Sequence, residues 1–247
     1  MKYHGTPLSG SNCDAAKILR GRHALVSFAH PKQLEIVLAV CESFVLDNGA
    51  FSTWKRGTQV DWSGYYSWVR SLKNHPRFDW AIVPDVIDGD AAANDALLSE
   101  WPHDLHNVGV PVWHMHEPVD RLVSLAHRYA RVAIGSSGEF ASVGSKAWHQ
   151  RMSAAMDAVC DGHGQPVTKL HGLRMLDPKI MERYPLASAD STNMGRNIGL
   201  DVAWTGRNAP ADLAVRGFVM AERIDATVGA ERWVKSPQED FFELEVV

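Results

Sequence analysis

The chain has 247 residues, 45% of them apolar and 22% charged, with a formal net charge of -4 when its 12 histidines are counted as neutral. That is ordinary globular composition, enough for a full core in one large domain or two small ones, and it excludes a basic nucleic-acid tail or a polybasic membrane anchor. No apolar run approaches the length that spans a bilayer and the N-terminus lacks a signal-peptide pattern, so a soluble, cytoplasmic protein is expected. Cys13, Cys41 and Cys160 are far apart and form no C-x-x-C pair. Neither a disulfide framework nor a structural zinc cluster is expected of them.

Along the chain, short apolar runs alternate with segments of helical period, the signature of βα units. The predicted strands are a weaker one near Lys2–Pro7, then Ala24–Phe28, Phe44–Asp47, Trp80–Asp85, Val110–His116, Val132–Ser136, Thr168–Gly172 and Leu186–Asp190. Between them, Leu34, Val37, Leu38 and Cys41 share one helical face. So do Leu122, Leu125, Ala126 and Tyr129, and so do Trp148, Met152, Ala155 and Met156. Asp61, Asp90 and Ser145 are expected N-caps, Pro31, Pro118 and Pro178 suit first turns, and a last helix is expected over roughly Pro210 to Thr227. Eight strands with intervening helices in this length predict an α/β protein, a (β/α)8 TIM-type barrel forming a single domain over residues 1–247. A doubly wound open sheet is the alternative. It lacks support, because no G-x-G-x-x-G or P-loop follows the early strands.

Polar clusters stand where the apolar runs stop: Asp47-Asn48-Gly49-Ala50-Phe51, Pro84-Asp85, His114-Met115-His116-Glu117, Gly135-Ser136-Ser137-Gly138-Glu139, His171-Gly172 and Ala189-Asp190-Ser191-Thr192-Asn193. An Asp or Asn after a strand is commonly a turn former or a helix cap. Caps, however, need one such residue each, not clusters at successive strands, and in a parallel barrel these ends converge on the mouth where active sites are built.

Asp47 and Asp190, each directly after an apolar strand, form a chemical pair suited to glycosyl transfer. One carboxylate attacks the anomeric carbon and the other moves a proton. Asp85 suits a ligand with adjacent N–H donors, such as a guanine edge, or else a cap or ion pair. His114 and His116, two apart on one strand, leave the same face and with His171 and a carboxylate offer a rival metal site. Gly135-Ser136-Ser137-Gly138 exposes backbone N–H groups that a flat ligand can approach closely. Most of the nine tryptophans sit at core spacing, with one of them available to stack on a base. Three readings stay open on the residues: a base-exchanging transglycosylase, a metal-dependent barrel hydrolase using His114, His116 and His171, and a non-catalytic base-binding barrel.

In order, these segments resemble the tRNA-guanine transglycosylase superfamily over roughly residues 44 to 197. Asp47-Asn48-Gly49-Ala50-Phe51 is similar to the family's D-S-G-G-F. Ala133-Ile134-Gly135-Ser136 with Glu139 resembles A-I-G-G…G-E, and Leu173-Arg174-Met175-Leu176-Asp177-Pro178 lies where the family has M-G-V-G-x-P. Asp190-Ser191-Thr192-Asn193-Met194-Gly195-Arg196-Asn197 resembles the stretch containing the nucleophilic aspartate. The family's zinc-binding C-x-C-x-x-C…H and its added RNA-binding domain are absent, and Asn193 replaces an arginine of the motif. The compact branch of phage and bacterial DNA-modification enzymes, which exchange guanine in DNA for a 7-deazaguanine, is the most similar. The resemblance implies a glycosyltransferase with Asp190 as nucleophile and Asp47 as proton-transfer group. It implies base binding by Asp85, His116, Gly135, Ser136, His171, Asn48 and Arg196. The substrates implied are DNA with a flipped guanine, rather than tRNA, and a free 7-deazaguanine base. It calls for no cofactor, no resident metal and no membrane, and for the host cytoplasm if the gene is a phage's. Arg174, Arg196, Arg207 and Lys146 are the expected cations near the mouth.

Overall fold

A computed structural model describes residues 1–196, 198, 202–206 and 208–235, with the side chains of Asn193 and Arg196 outside the described set. From the N-terminus the elements are β1 (Lys2–Gly5), α1 (Asn12–Leu19), β2 (His23–Ser27), α2 (Leu34–Val40), β3 (Ser43–Asp47), α3 (Ala50–Arg56) and α4 (Trp62–Leu72). There follow β4 (Phe78–Ile82), α5 (Ala91–Ser99), β5 (Gly109–Val110), β6 (Val112–His114), α6 (Val119–Arg128), β7 (Arg131–Gly135) and α7 (Lys146–Val159). The chain continues through β8 (Lys169–Gly172), α8 (Pro178–Arg183), β9 (Ser188–Ser191), α9 (Asn193–Arg196) and α10 (Leu213–Asp225).

All pairings among the described strands are parallel, in the order β5-β4-β3-β2-β1-β9-β8-β7-β6, so the two ends of the sheet are β5 and β6. Only Pro111 separates those ends in the chain. The result is a nearly closed nine-strand parallel barrel with helices between strands, consistent with the TIM type. Nine strands stand where eight were expected because Pro111 cuts one predicted strand in two. Proline has no N–H for the ladder, although its carbonyl still accepts from Ala133 N at 2.9 Å.

Strand alternation sorts the core into two parts. Tyr3, Leu25, Val45, Trp80, Ile82, Val110, Val112 and Ala133 fill the barrel lumen. Their outward neighbours Ala24, Phe44, Leu46, Ala81, Val132 and Ile134 pack under the helices. The helical faces behave as their spacing predicts: Trp148, Met152, Ala155 and Met156 of α7 are all completely buried. Asp61, Asp90 and Ser145 do cap their helices, each accepting a backbone N–H. Pro178 opens α8 and Pro118 is the N-cap of α6, whereas Pro31 lies in the turn ahead of α2, three residues before the helix starts. The last helix is shorter than expected, because Asp212 caps it by accepting from Ala214 N and Val215 N. It is tied to the barrel by Arg22 and His4, which both meet the Asp225 carboxylate. Among the described residues no helix is long and apolar enough to cross a membrane.

Candidate active site

Ser27, Asp47, His114, Gly135 and Asp190 each stand two residues beyond an inward-facing position, namely Leu25, Val45, Val112, Ala133 and Ser188. Period-two alternation therefore aims all five into the barrel, one layer above its apolar filling. Together with Asn48, Asp85 and the backbone of Ser136 they line one cavity of about 500 Å³. Size and lining suit a small molecule with a few convergent polar groups.

The β3–α3 turn shapes one wall. Asp47 Oδ2 accepts from Gly49 N at 3.1 Å and Asn48 Oδ1 accepts from Ala50 N at 2.8 Å, two side-chain turns in succession. Gly49 has φ +81°, and a Cβ there would come within 2.9 Å of Ala29. Gly49→Ala is expected to destabilise the fold by about 1–3 kcal/mol from strain and crowding, read as a lower denaturation midpoint at unchanged slope.

Asp85 sits in a buried cluster. Its Oδ1 accepts from Asn48 Nδ2 at 2.6 Å, and its Oδ2 lies 2.8 Å from His114 Nε2. On the opposite side, Asp190 Oδ1 accepts the Arg174 backbone N–H at 3.0 Å. Arg174 has φ +59°, the one described non-glycine residue in the left-handed region. From there its guanidinium donates to Ser136 O at 3.0 Å and lies 4.0 Å over the Phe51 ring. Backbone strain of this kind clusters where a site demands a particular geometry.

Three carboxylates around one cavity repel one another. Burial pushes the Asp47 carboxyl up to about 6, and the negative charges of Asp190 and Asp85 add to the rise. The Ser27 hydroxyl, beside it without a well-formed hydrogen bond of its own, and the Gly49 N–H pull the other way. A carboxyl near 6 changes protonation close to neutral pH, the range useful to a group that both gives and takes a proton.

Not every expected residue reaches the cavity. His116 stacks on His114 at 5.8 Å but lies 2.7 Å from Ser137 Oγ and 2.8 Å from Gly89 O, outside the lining. His171 is completely buried one layer beneath Asp190. Ser136 turns its hydroxyl outward to accept from Trp148 Nε1 at 2.9 Å, so only its backbone is offered to a ligand. The side chain of Arg196 and all of Arg207 lie outside the described residues, and Lys146 is not in the lining. Among the described residues no three of His, Cys, Asp and Glu come together as metal ligands. The three imidazoles of the hydrolase reading do not converge.

Ser27, His30 and Lys55 also line the cavity without having been expected there, and Phe51, expected only as part of the Asp47 motif, joins them. Counting in twos from Leu25 finds Ser27. Phe51 and Lys55 belong to α3, for which no cap residue gives a signal. Trp54, on the same helix, is 46% exposed with its ring 5.8 Å from Phe51.

Comparison with known protein families, with curated proteins and with solved structures finds no match to this chain.

Proposed function

We propose that the chain is a base-exchanging pentosyltransferase that replaces guanine in DNA with a 7-deazaguanine, built on a single barrel domain. The observation that carries this reading is the meeting of Asp47 and Asp190 in one cavity, with the Asp47 carboxyl lifted to about 6. The collinear motifs from Asp47 to Asn197 support it.

In the proposed reaction a deoxyguanosine swings out of the duplex, because its C1′ is out of reach inside the stack. A carboxylate oxygen of Asp190 attacks C1′, the C1′–N9 bond breaks, and protonated Asp47 supplies the proton to the departing guanine. A 7-deazaguanine then enters. Asp47, now ionised, takes the proton from its ring nitrogen as that nitrogen attacks C1′ and releases Asp190. Bonds and protons balance without a cofactor. Each oxygen of Asp85 keeps a lone pair beyond its contacts with Asn48 and His114, enough to accept from two adjacent N–H groups of a base. The Gly135–Ser136 backbone and the Phe51–Arg174 slab supply flat surfaces for it.

Incubation with DNA and labelled 7-deazaguanine tests the reading. Uptake matched one for one by guanine release is expected. Product formation that needs added divalent metal and stops in chelator would transfer the case to the hydrolase. The exposed Lys55 at the cavity rim is assigned to a phosphate. Lys55→Ala is expected to weaken DNA binding about equally across sequences and to lower the slope of log K against log salt by about 1. An unchanged slope would separate Lys55 from the backbone.

A further inference from the structure

A polar column lies beneath Asp190. His171 and Ser188 are direct partners across β8 and β9, and both are completely buried. Ser188 Oγ accepts from Arg131 Nη1 at 2.8 Å and lies 2.9 Å from His171 Nδ1. His171 Nε2 in turn lies 3.3 Å from Asp190 Oδ1 and has no other polar partner. The rings of Trp80 and Tyr3 stand edge-on to the imidazole at 4.8 and 6.0 Å, closing it off from solvent.

The donors in this column are determined from its lower end. A guanidinium only donates, so Ser188 Oγ accepts from Arg131. If it accepted from a His171 Nδ1–H as well, its own buried hydrogen would be left without an acceptor and Nε2 would turn a lone pair on the Asp190 carboxylate, so the hydroxyl hydrogen goes to His171 Nδ1. A neutral imidazole that accepts at Nδ1 carries its proton on Nε2. Burial keeps the His171 pKa below its ordinary value, although Asp190 pulls the other way, which agrees with a neutral ring. Nε2–H therefore faces Asp190 Oδ1, off the line of a well-formed hydrogen bond. The Arg174 N–H falls on that same Oδ1.

We propose that Arg131 and Ser188 lock His171 in the Nε2–H tautomer, and that His171 with the Arg174 backbone holds Oδ1 of Asp190 so that Oδ2 is left for the ligand. His171 is thus a positioning residue acting through Asp190, not a base-binding one. Only the kinetic half of this proposal rests on Asp190 being the nucleophile.

Two measurements on the full chain test it. Long-range proton–nitrogen correlation spectra of 15N-histidine protein without substrate report which ring nitrogen of His171 is protonated. Protonated Nε2 with bare Nδ1 is expected. A proton on Nδ1, or on both nitrogens, at neutral pH overturns the column, and this result needs no variant to fold. In Ser188→Ala the lock is lost, and a mixture of tautomers is expected. Exchange kinetics should then show kcat lower by about 10- to 100-fold with KM nearly unchanged, the usual cost of losing an outer hydrogen-bond partner of a functional group. A folded Ser188→Ala with unchanged kcat overturns the positioning role. If the wild type exchanges no base at all, the proposed function fails, while the tautomer lock is still decided by the spectra.

Discussion

Asp190→Asn is expected to abolish exchange of labelled guanine in DNA and to yield no covalent DNA adduct on a denaturing gel. An amide cannot form or release the glycosyl ester on which the two-step reaction depends. The fold should survive, because asparagine keeps an oxygen able to accept the Arg174 N–H that Asp190 accepts at 3.0 Å. Loss of adduct with an unchanged unfolding midpoint would therefore be a chemical loss rather than collapse of the barrel. An Asp190→Asn protein that still exchanged guanine would refute the mechanism whatever the barrel looks like. So would an adduct in the wild type that maps to another residue.

The barrel was legible because strands with apolar runs and polar ends leave a strong local mark. All eight expected strands overlap observed ones, and Asp47, Gly135 and Asp190 face the cavity because each stands at the C-terminal end of its strand at the register that alternation predicts, whereas Asp85 reaches it from the loop three residues past the end of β4. The misplacements have physical causes. Alternation carried His114 inward, but β6 ends there and the next residues turn, so the direction of His116 is set by Ser137 and Gly89 instead. His171 belongs to the layer of Ser188, a fact of cross-strand register that a single strand does not disclose. Helix α3 opens directly after a left-handed glycine with no side-chain cap, so Lys55 did not announce itself and Phe51 stood out only as the last residue of the Asp47 motif. Arg174 lines the cavity as the cation expected near the mouth, but its left-handed backbone gave no signal, since nothing in its residue type calls for positive φ.

Asp47→Asn is expected to separate activity from stability in opposite directions. As a proton-transfer group its loss should slow exchange by roughly 10²–10⁴-fold, the usual worth of general acid–base catalysis, while adduct still accumulates at Asp190. The wild-type rate should change near pH 6 as Asp47 titrates, and that inflection should be missing from the variant. Stability should move the other way. The carboxyl is raised from an ordinary value of 3.8 to about 6. The folded state thus holds the proton more tightly, with stability fully present below pH 3.8 and lost as pH rises through 6. A shift of this size corresponds to about 2–3 kcal/mol of stability given up at neutral pH by keeping an ionised carboxylate among Asp85 and Asp190. Asparagine carries no such charge and still accepts the Gly49 N–H, so the variant should unfold at higher denaturant than the wild type at pH 7 and at a similar concentration at pH 4. A turn-forming aspartate with no other role predicts the reverse, near-normal activity and a stability change of about 1 kcal/mol or less. Denaturation at the two pH values, beside the exchange rate, distinguishes a strained catalytic carboxylate from a cap: equal midpoints at pH 7 together with near-normal exchange would remove Asp47 from the mechanism.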